Sequence, residues 1–482
     1  MTFPGRNSLD SDGIKIPPKV FRVGTLSYTM AGLCILAFWL LWGNFCIILM
    51  EEVWHSIVPL KLKELAAPNW AIGFIMVSIP QLLNTVLNPV ISTASDRFRS
   101  PFGRRRPFML IATPFIAFLL CIVGFSPDIG QWLYGAGLGR ATGWSLGAIT
   151  VVVIGVTIFL FRIAELFINV LFYYFINDVV PQKVMARFLA FLRIVGMGGG
   201  AFYNYFVYQH ALTHMRVIFI AAGALYFVGF ALMCLRVKEG EYPPPTPRQD
   251  KDKGLLALAR LYARECLHQR LHILLYLHVM VWTMATALGV FQVFLCLALG
   301  MTLHQLGTIA AAVGVASAVL TYPAGILADR FHPMRLMIWI KFGMVLLLPL
   351  NFVWLFTAYA PSVNFWILVI LSVLNLPLNL IYAATLMPLY MRLYPREQFG
   401  QFCSFMAICT ASVAVAGGLV GGLYIDWMRR AWPDAIYGKD YCYRLMPPWT
   451  LFFTGISLLL LALLYKEWRR LGAESYVPHS VD

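Results

Sequence analysis

The segment Ser95–Phe108 reads SDRFRSPFGRRRPF and lies between two long apolar stretches. Its acid, its basic residues and its glycine are, in order, Asp96, Arg97, Arg99, Gly103, Arg104, Arg105 and Arg106. According to the positive-inside rule, a short basic loop between two membrane-length segments lies in the cytoplasm. A carboxylate beside basic residues can also bind the N-terminus of another helix. The segment therefore predicts a cytoplasmic face, with a role either in topology alone or also in gating.

The composition indicates an integral membrane protein. Of 482 residues, 60% are hydrophobic and only 12% are charged, and the mean hydropathy is +0.74. A net charge of +15 would suggest a nucleic-acid partner in a soluble protein. In this chain it is better explained by cytoplasmic loops that face anionic lipid. We therefore expect contact with a lipid bilayer and no nucleic-acid partner.

Twelve apolar stretches are long enough to cross about 30 Å of hydrocarbon. They cover residues 30–56, 70–93, 107–126, 146–176, 188–209, 216–236, 271–297, 307–327, 336–358, 364–390, 400–424 and 448–465. Of the 37 Lys and Arg residues, 26 lie in the alternate segments assigned to the cytoplasm, eight lie in the opposite segments and three lie within the stretches. This asymmetry predicts a multi-pass protein of the cell (inner) membrane with both termini in the cytoplasm.

The two halves of the chain repeat each other. STASDRF at 92–98 is repeated as GILADRF at 325–331, and DVVPQKVMARF at 178–188 pairs with RLYPREQFGQF at 392–402. We predict an all-α membrane protein with twelve transmembrane helices in two six-helix pseudo-symmetric halves, the layout of a secondary transporter. The predicted parts are a cytoplasmic tail (1–29), an N-terminal bundle (30–236), a cytoplasmic linker (237–270), a C-terminal bundle (271–465) and a cytoplasmic tail (466–482).

On these motifs the sequence resembles the major facilitator superfamily, whose loop between helices two and three carries G-x-x-x-D-R-x-G-R-R. The insert before GRRRPF, and Pro59 at the expected close of the first helix, resemble the glycoside–pentoside–hexuronide:cation symporters and the sucrose transporters. The family glycine is Ser92 here, although the second copy keeps it as Gly325. The resemblance implies that the solute is a sugar or glycoside, driven by a proton or sodium gradient.

The fourth stretch carries the strongest candidate site. Arg162 and Glu165 are spaced i, i+3, so they lie on one helix face and can pair. Glu165 lies 13 residues before Asp178, which is about 20 Å along a helix and near the bilayer midplane. Ionisable groups at that depth are costly and usually face the protein interior or a water-filled cavity. The pair could bind the solute or the coupling ion, or it could be a static ion pair that fixes helix packing.

Other candidates are grouped around this pair. On the same face, and at matching positions of the tenth stretch, we include the polar residues Asn169, Tyr173, Asn375 and Asn379. Glu51 could bind a proton and share it with His55, although a solvated helix end is the alternative. Gln292 and Trp42 could contact a solute through hydroxyl groups and ring stacking. Arg193 and Lys341 are expected near inner helix ends, where they can reach the interface.

A cytoplasmic gate is the second predicted feature. Its candidate residues are Asp96, Arg97, Gly103, Arg104, Arg105, Arg106, Asp178, Arg187, Asp329 and Arg330. The eleventh helix should begin near Phe399, and Asp96 is expected to dock at its positive N-terminal end.

The sequence contains no P-loop, no nucleophile–base spacing and no metal-ligand spacing. We therefore expect a non-enzymatic protein without cofactor or metal, a monomer that moves a small polar solute by alternating access. The alternative is a non-transporting assembly factor of the pigment or light-harvesting type on the same scaffold. The Arg162–Glu165 pair favours the transporter, because a pigment-handling groove has less need of a buried ion pair.

Overall fold

A computed structural model describes residues 21–23, 25–98, 100–240, 265–356, 359–395, 397–476 and 478, without the side chains of 89, 90, 92–97, 186 and 356. A small antiparallel ribbon, β1 (Phe21–Val23) and β2 (Leu26–Tyr28), precedes the first helix. The sequence analysis did not predict this ribbon. The rest of the regular structure in the described residues is helical.

Twelve helical segments of the described residues are long and apolar enough to cross a membrane. They are α1 (Met30–Glu64), α2 (Asn69–Asn88), α3 (Arg106–Gly124), α4 (Leu146–Val179), α5 (Gln182–His210), α6 (Met215–Arg236), α7 (Arg270–Ala298), α8 (Leu303–Arg330), α9 (Pro333–Leu355), α10 (Pro361–Leu393), α11 (Phe399–Ala431) and α12 (Tyr441–Arg470). The helix of α2 continues to Arg97. The predicted fold class is confirmed.

Local sequence explains where several of these helices begin. The Ser145 side chain accepts a hydrogen bond from the backbone N–H of Ala148 and caps α4. Thr302 and Gln305 form a reciprocal capping box at the start of α8. α9 and α10 open on prolines, whose missing N–H is not needed in the first turn. α11 begins at Phe399, as predicted.

The prediction that Pro59 closes the first helix is wrong. α1 continues through Pro59 to Glu64, because a proline in a membrane helix removes one hydrogen bond that neighbouring groups can replace. Glu51 consequently lies 13 residues before the end of α1, more than three turns inside it. It is not at a solvated helix end.

Helix packing divides the chain into two compact units that differ from the sequence halves. The first contains Met1–Ile57, Val86–Tyr203 and Ala211–Pro247, and the second contains Val58–Thr85, Asn204–His210 and Arg248–Asp482. The C-terminal end of α1 and the first part of α2 therefore pack within the second unit. The domain boundaries predicted from the sequence stay a prediction.

Close approach of α2 and α11 depends on glycine. A side-chain carbon added at Gly73 would clash with the carbonyl oxygen of Gly418. Gly422 is equally restricted by the backbone of Asn69 and Trp70. The small residues of α11 therefore have the packing role expected of such surfaces.

Candidate functional site

The first unit contains a buried ion pair on α4. The Glu165 side chain has no exposed surface, and Arg162 contacts its Oε2 from one turn earlier. The Arg162 guanidinium lies 5.1 Å from the centroid of the Trp54 ring, on α1. Trp54 is itself buried, so the arginine lies between a carboxylate and an aromatic face. Sequence spacing identified the pair, but it gave no indication of Trp54.

A second carboxyl group completes this cluster. Asn169 donates a hydrogen bond of 2.8 Å from Nδ2 to Oε1 of Glu51, which connects α4 to α1. The Glu51 carboxyl group is also close enough to Glu165 for the two acids to interact. Oε1 of Glu165 is buried and has no hydrogen-bond donor within the described residues. Arg162 therefore pairs with Glu165, Asn169 bonds Glu51, and a hydrogen bond between the two carboxyl groups would need a proton on one of them. We call Glu51, Arg162, Glu165 and Asn169 the acid cluster.

His55 does not join the acid cluster through its ring. Its Nδ1 bonds the backbone carbonyl of Glu51 at 3.1 Å, not the carboxyl group. The neighbouring Glu52 faces α5, where a side-chain carbon at Gly200 would lie 3.2 Å from Oε1 of Glu52. The side chains of Glu51 and Glu52 therefore face different helices, although the two residues are adjacent in the chain.

The other predicted site residues have surroundings of their own. Tyr173 is 59% exposed, and Gln292 is exposed. Trp42 stacks on Phe45. On α10, Asn375 and Asn379 donate to carbonyl oxygens one turn earlier in their own helix, at 2.9 and 3.0 Å. Their role in binding remains a prediction.

Lys341 contradicts its sequence prediction. It was expected near an inner helix end, yet its side chain is fully buried in the second unit. Its Nζ lies 3.1 Å from the centroid of the Trp282 ring and 4.4 Å from that of Tyr382. The Nζ atom has no hydrogen-bond partner within the described residues. α9 begins at Pro333, earlier than predicted, so Lys341 is eight residues inside the helix and beyond reach of its end.

The GRRRPF motif forms an arginine cluster at the ends of three helices of the first unit. Arg104 Nη2 donates to both oxygens of Asp178, each at 3.0 Å, and Arg105 Nε is 2.8 Å from Asp178 Oδ2. The Arg105 guanidinium also lies 4.7 Å from the centroid of the Tyr174 ring. Arg106 Nε donates to the Cys234 carbonyl oxygen at 2.7 Å and so binds the end of α6.

Glu239 joins this arginine cluster and was missed from the sequence. Its carboxylate has no exposed surface and accepts from the backbone N–H groups of Arg105 and Arg106, at 3.1 and 3.4 Å. Gly103 has φ +101, and a side chain there would clash with Glu239. The available signal was the first acid after α6, in the run VKEG, which follows a helix that ends beside a basic loop.

The remaining gate residues are placed differently. The side chains of Asp96 and Arg97 lie outside the described residues, so their predicted docking stays a prediction. Arg187 is exposed on α5. In the second copy of the motif, Asp329 and Arg330 are both exposed at the end of α8.

The second unit has its own ionic cluster where α2 begins. Asp426 of α11 accepts from the backbone N–H groups of Asn69 and Trp70, at 3.0 and 2.9 Å, and from the Asn69 side chain at 2.8 Å. The carboxylate thus caps the positive N-terminal end of α2. Beside it, Lys63 Nζ is 2.6 Å from Oδ1 of Asp440. Sequence analysis missed this cluster, because its members are hundreds of residues apart.

Comparison with known sequences identifies the family. A model described as Major Facilitator Superfamily matches residues 33–418. The sucrose transport protein SUT4 of Oryza sativa subsp. indica is 44% identical over 78 residues, 16% of this chain and 13% of that protein. The general alpha-glucoside permease of Schizosaccharomyces pombe is 35% identical over 72 residues, 15% of this chain and 12% of that protein. Human solute carrier family 45 member 4 is 28% identical over 188 residues, 36% of this chain and 23% of that protein. The matched segments span less than a quarter of each relative.

Solved structures of other transporters resemble this chain in fold. A bacterial homologue of the human lysosomal transporter Spinster, inward-facing and occupied, matches with a TM-score of 0.64 and 13% identity over 91% of this chain and 97% of that chain. A D-xylose–proton symporter matches with a TM-score of 0.59 and 16% identity over 92% and 98%. At these identities the likeness concerns the fold alone. Because the family model matches most of the chain, and the described residues include twelve membrane-length helices, the chain belongs to the major facilitator superfamily.

Proposed function

We propose that this transporter couples the movement of a small sugar-type solute to a proton gradient by alternating access. In this proposal it acts as a monomer in the cell membrane, with both termini in the cytoplasm. Transport needs no bound cofactor and no catalytic step. The charge asymmetry of the loops supports the orientation, since 26 of 37 Lys and Arg residues lie on the proposed cytoplasmic side.

The acid cluster is the observation that carries this proposal. Glu165 is fully buried, and one of its oxygens is paired with Arg162. Its other oxygen has no donor within the described residues, and the Glu51 carboxyl group interacts with Glu165. Two carboxylates so close to each other cannot both be ionised without a large cost, so the cluster holds a proton between them. Release of that proton leaves two negative charges on one arginine and changes the interaction between α1 and α4.

The cluster favours a proton over a sodium ion. A sodium site needs several oxygen ligands around a space that excludes other cations. Here the Arg162 guanidinium already contacts Oε2 of Glu165, and Asn169 presents N–H groups, not its carbonyl oxygen, to Glu51. A metal cation would be repelled by the arginine, whereas a proton on a carboxyl oxygen is compatible with both contacts.

The sugar assignment is supported by the relatives. The rice and fission-yeast proteins are named for transport of sucrose and alpha-glucosides, but the matched segments cover only 13% and 12% of them. Because the relatives are transport proteins and the ionic cluster lies within the helices, the assembly-factor alternative is not favoured.

We propose that the arginine cluster joins the ends of α3, α4 and α6 at the cytoplasmic gate. Arg104 and Arg105 bind the end of α4 through Asp178, and Arg106 binds the end of α6. The three helices would then move together, with the acid cluster held at a fixed distance from the cytoplasmic end of α4.

The function can be tested with the purified full chain in proteoliposomes. We expect labelled sucrose, maltose or another member of a glycoside panel to accumulate inside the proteoliposomes under an imposed pH gradient. The acidic side of the membrane is the side from which the sugar is taken up. A sodium gradient at equal pH should give only equilibration. Accumulation with sodium alone would contradict the coupling, and equilibration of no sugar at all would contradict the solute class.

A further inference from the structure

Lys341 and Trp282 form a pair in the second unit that the proton coupling does not use. Lys341 comes from α9 and is fully buried, and its Nζ lies over the centre of the Trp282 ring of α7, at 3.1 Å. Tyr382 of α10 covers the ammonium group from another side, at 4.4 Å. Within the described residues, Nζ has neither a carboxylate partner nor a hydrogen bond. Among the described residues, the Lys341 amine therefore lies against aromatic rings and has no ionic partner.

Stability does not explain this arrangement. Attraction between a cation and aromatic rings compensates only part of what an ammonium group loses on leaving water. An apolar side chain of similar length would fit the same space without that cost. An ionisable group inside a membrane protein is by default a candidate for function, and the structure indicates which neighbour it acts on.

The neighbour is Trp282, whose ring is held in one orientation. One of its faces lies on the ammonium group, and the Tyr382 ring packs at 5.3 Å between centroids. The Tyr382 hydroxyl is 3.4 Å from Nε2 of His278, and Nδ1 of His278 is 3.0 Å from the hydroxyl oxygen of Ser457. Side chains of four helices thus support one indole ring. The indole is pre-organised, so a ligand that stacks on it does not need to order it.

Part of the Trp282 side chain remains accessible. It is partly exposed, whereas Tyr382 is buried. Its indole N–H is accessible and donates no hydrogen bond within the described part of the chain. Trp282 lies 12 residues after the start of α7, about 18 Å along the helix and near mid-membrane depth. Tryptophan side chains that face lipid concentrate at the two interfaces, so an unpaired indole N–H at this depth indicates contact with solute or water.

We propose that Trp282 is a stacking and hydrogen-bonding residue for the ring of the transported solute, and that Lys341 is the positioning residue that fixes its indole. A ligand of the matching class has a flat face of C–H groups and hydroxyl oxygens at its edge, as a pyranose ring does. The face stacks on the indole, and a hydroxyl oxygen accepts from its N–H. This inference rests on the proposed sugar transport, but it does not depend on which ion drives it.

The test uses exchange of labelled sucrose by the full chain in proteoliposomes, without any ion gradient. Lys341→Met should raise the KM for exchange about five-fold, with the maximal rate nearly unchanged, because the lost cation–ring contact affects binding alone. Lys341→Arg should restore the KM, since guanidinium also lies over indole rings. Trp282→Ala should raise the KM further, and adding Lys341→Met to it should change nothing more.

A second readout follows the indole directly. Subtracting the fluorescence of Trp282→Phe from that of the intact protein gives the emission of Trp282, and sucrose should protect this emission from quenching by acrylamide. In Lys341→Met the protection should need a higher sucrose concentration. An equal effect of Lys341→Met with and without Trp282 would overturn the positioning role. Unprotected emission from a protein that exchanges sucrose would overturn the stacking role. Failure to exchange any sugar would instead overturn the proposed function.

Discussion

The two units bury charge in opposite ways. In the first, the acid cluster of α1 and α4 pairs charge with charge, because Arg162 contacts Glu165 and the Glu51 carboxyl group interacts with the same acid. In the second, Lys341 is covered by Trp282 and Tyr382, with no carboxylate partner within the described residues. Two neighbouring carboxyl groups can share a proton, whereas the Lys341 amine lies against two aromatic rings and can fix their orientation. We propose ion coupling for the first arrangement and solute orientation for the second.

The largest effect should come from removing the arginine of the acid cluster. Arg162→Ala leaves Glu165 buried beside Glu51 without a counter-charge, which should cost about 3–5 kcal/mol of the free energy of unfolding. We expect a strong loss of folded protein, measured as thermal stability in detergent. Adding Glu165→Gln should restore most of it, because Glu165 then no longer places an unpaired buried charge on α4. A stable Arg162→Ala protein would contradict the charge-paired description of the first unit.

The second unit should respond with the opposite sign. Lys341→Met replaces a buried cation that has no ionic partner, so it should leave thermal stability unchanged or raise the free energy of unfolding by roughly 1–4 kcal/mol. The same assay measures both variants. Destabilisation of Lys341→Met as large as that of Arg162→Ala would show that Lys341 has a counter-charge, and the contrast between the units would be lost.

A smaller difference between the units is expected for two acids that follow their last helices. Glu239 and Glu474 follow α6 and α12, and each is close to an arginine at the start of α3 or α9. The Glu239 carboxylate is buried, while Arg335 and Glu474 are 57% and 58% exposed at 3.1 Å. Glu239→Gln should cost about 1–3 kcal/mol, since two backbone N–H groups lose a charged acceptor. The matched Glu474→Gln should cost less than about 0.5 kcal/mol. Equal costs would remove this difference between the halves.

The sequence predicted the fold well because its signals are local. Each membrane helix is set by its own apolar length, and Ser145 or Thr302 marks a helix start within four residues. The Arg162–Glu165 contact was also predictable, since i, i+3 spacing fixes it within one helix. The hydrophobic pattern could not show that α1 continues past Pro59, because neighbouring groups compensate the lost hydrogen bond.

The rest of the site depends on packing between distant segments. Asn169 meets Glu51 across two helices, and Glu239 meets Arg105 only when α6 ends beside the GRRRPF loop. Lys341 was misplaced because its surroundings come from α7 and α10, which the sequence of α9 does not encode. Hydropathy gives the depth of a residue, but it gives no information on which helix it faces.

The central claim is that Glu165 and Glu51 hold the coupling proton between them, and one measurement tests it most directly. Glu165→Gln and Glu51→Gln are each compared with the intact protein in gradient-free exchange and in accumulation driven by a pH gradient. Both variants should keep exchange of labelled sugar and lose accumulation, because an amide cannot carry the proton. Glu52→Gln, on the adjacent position facing Gly200, is the matched control and should accumulate sugar normally. Accumulation by Glu165→Gln at the rate of the intact protein would contradict the account.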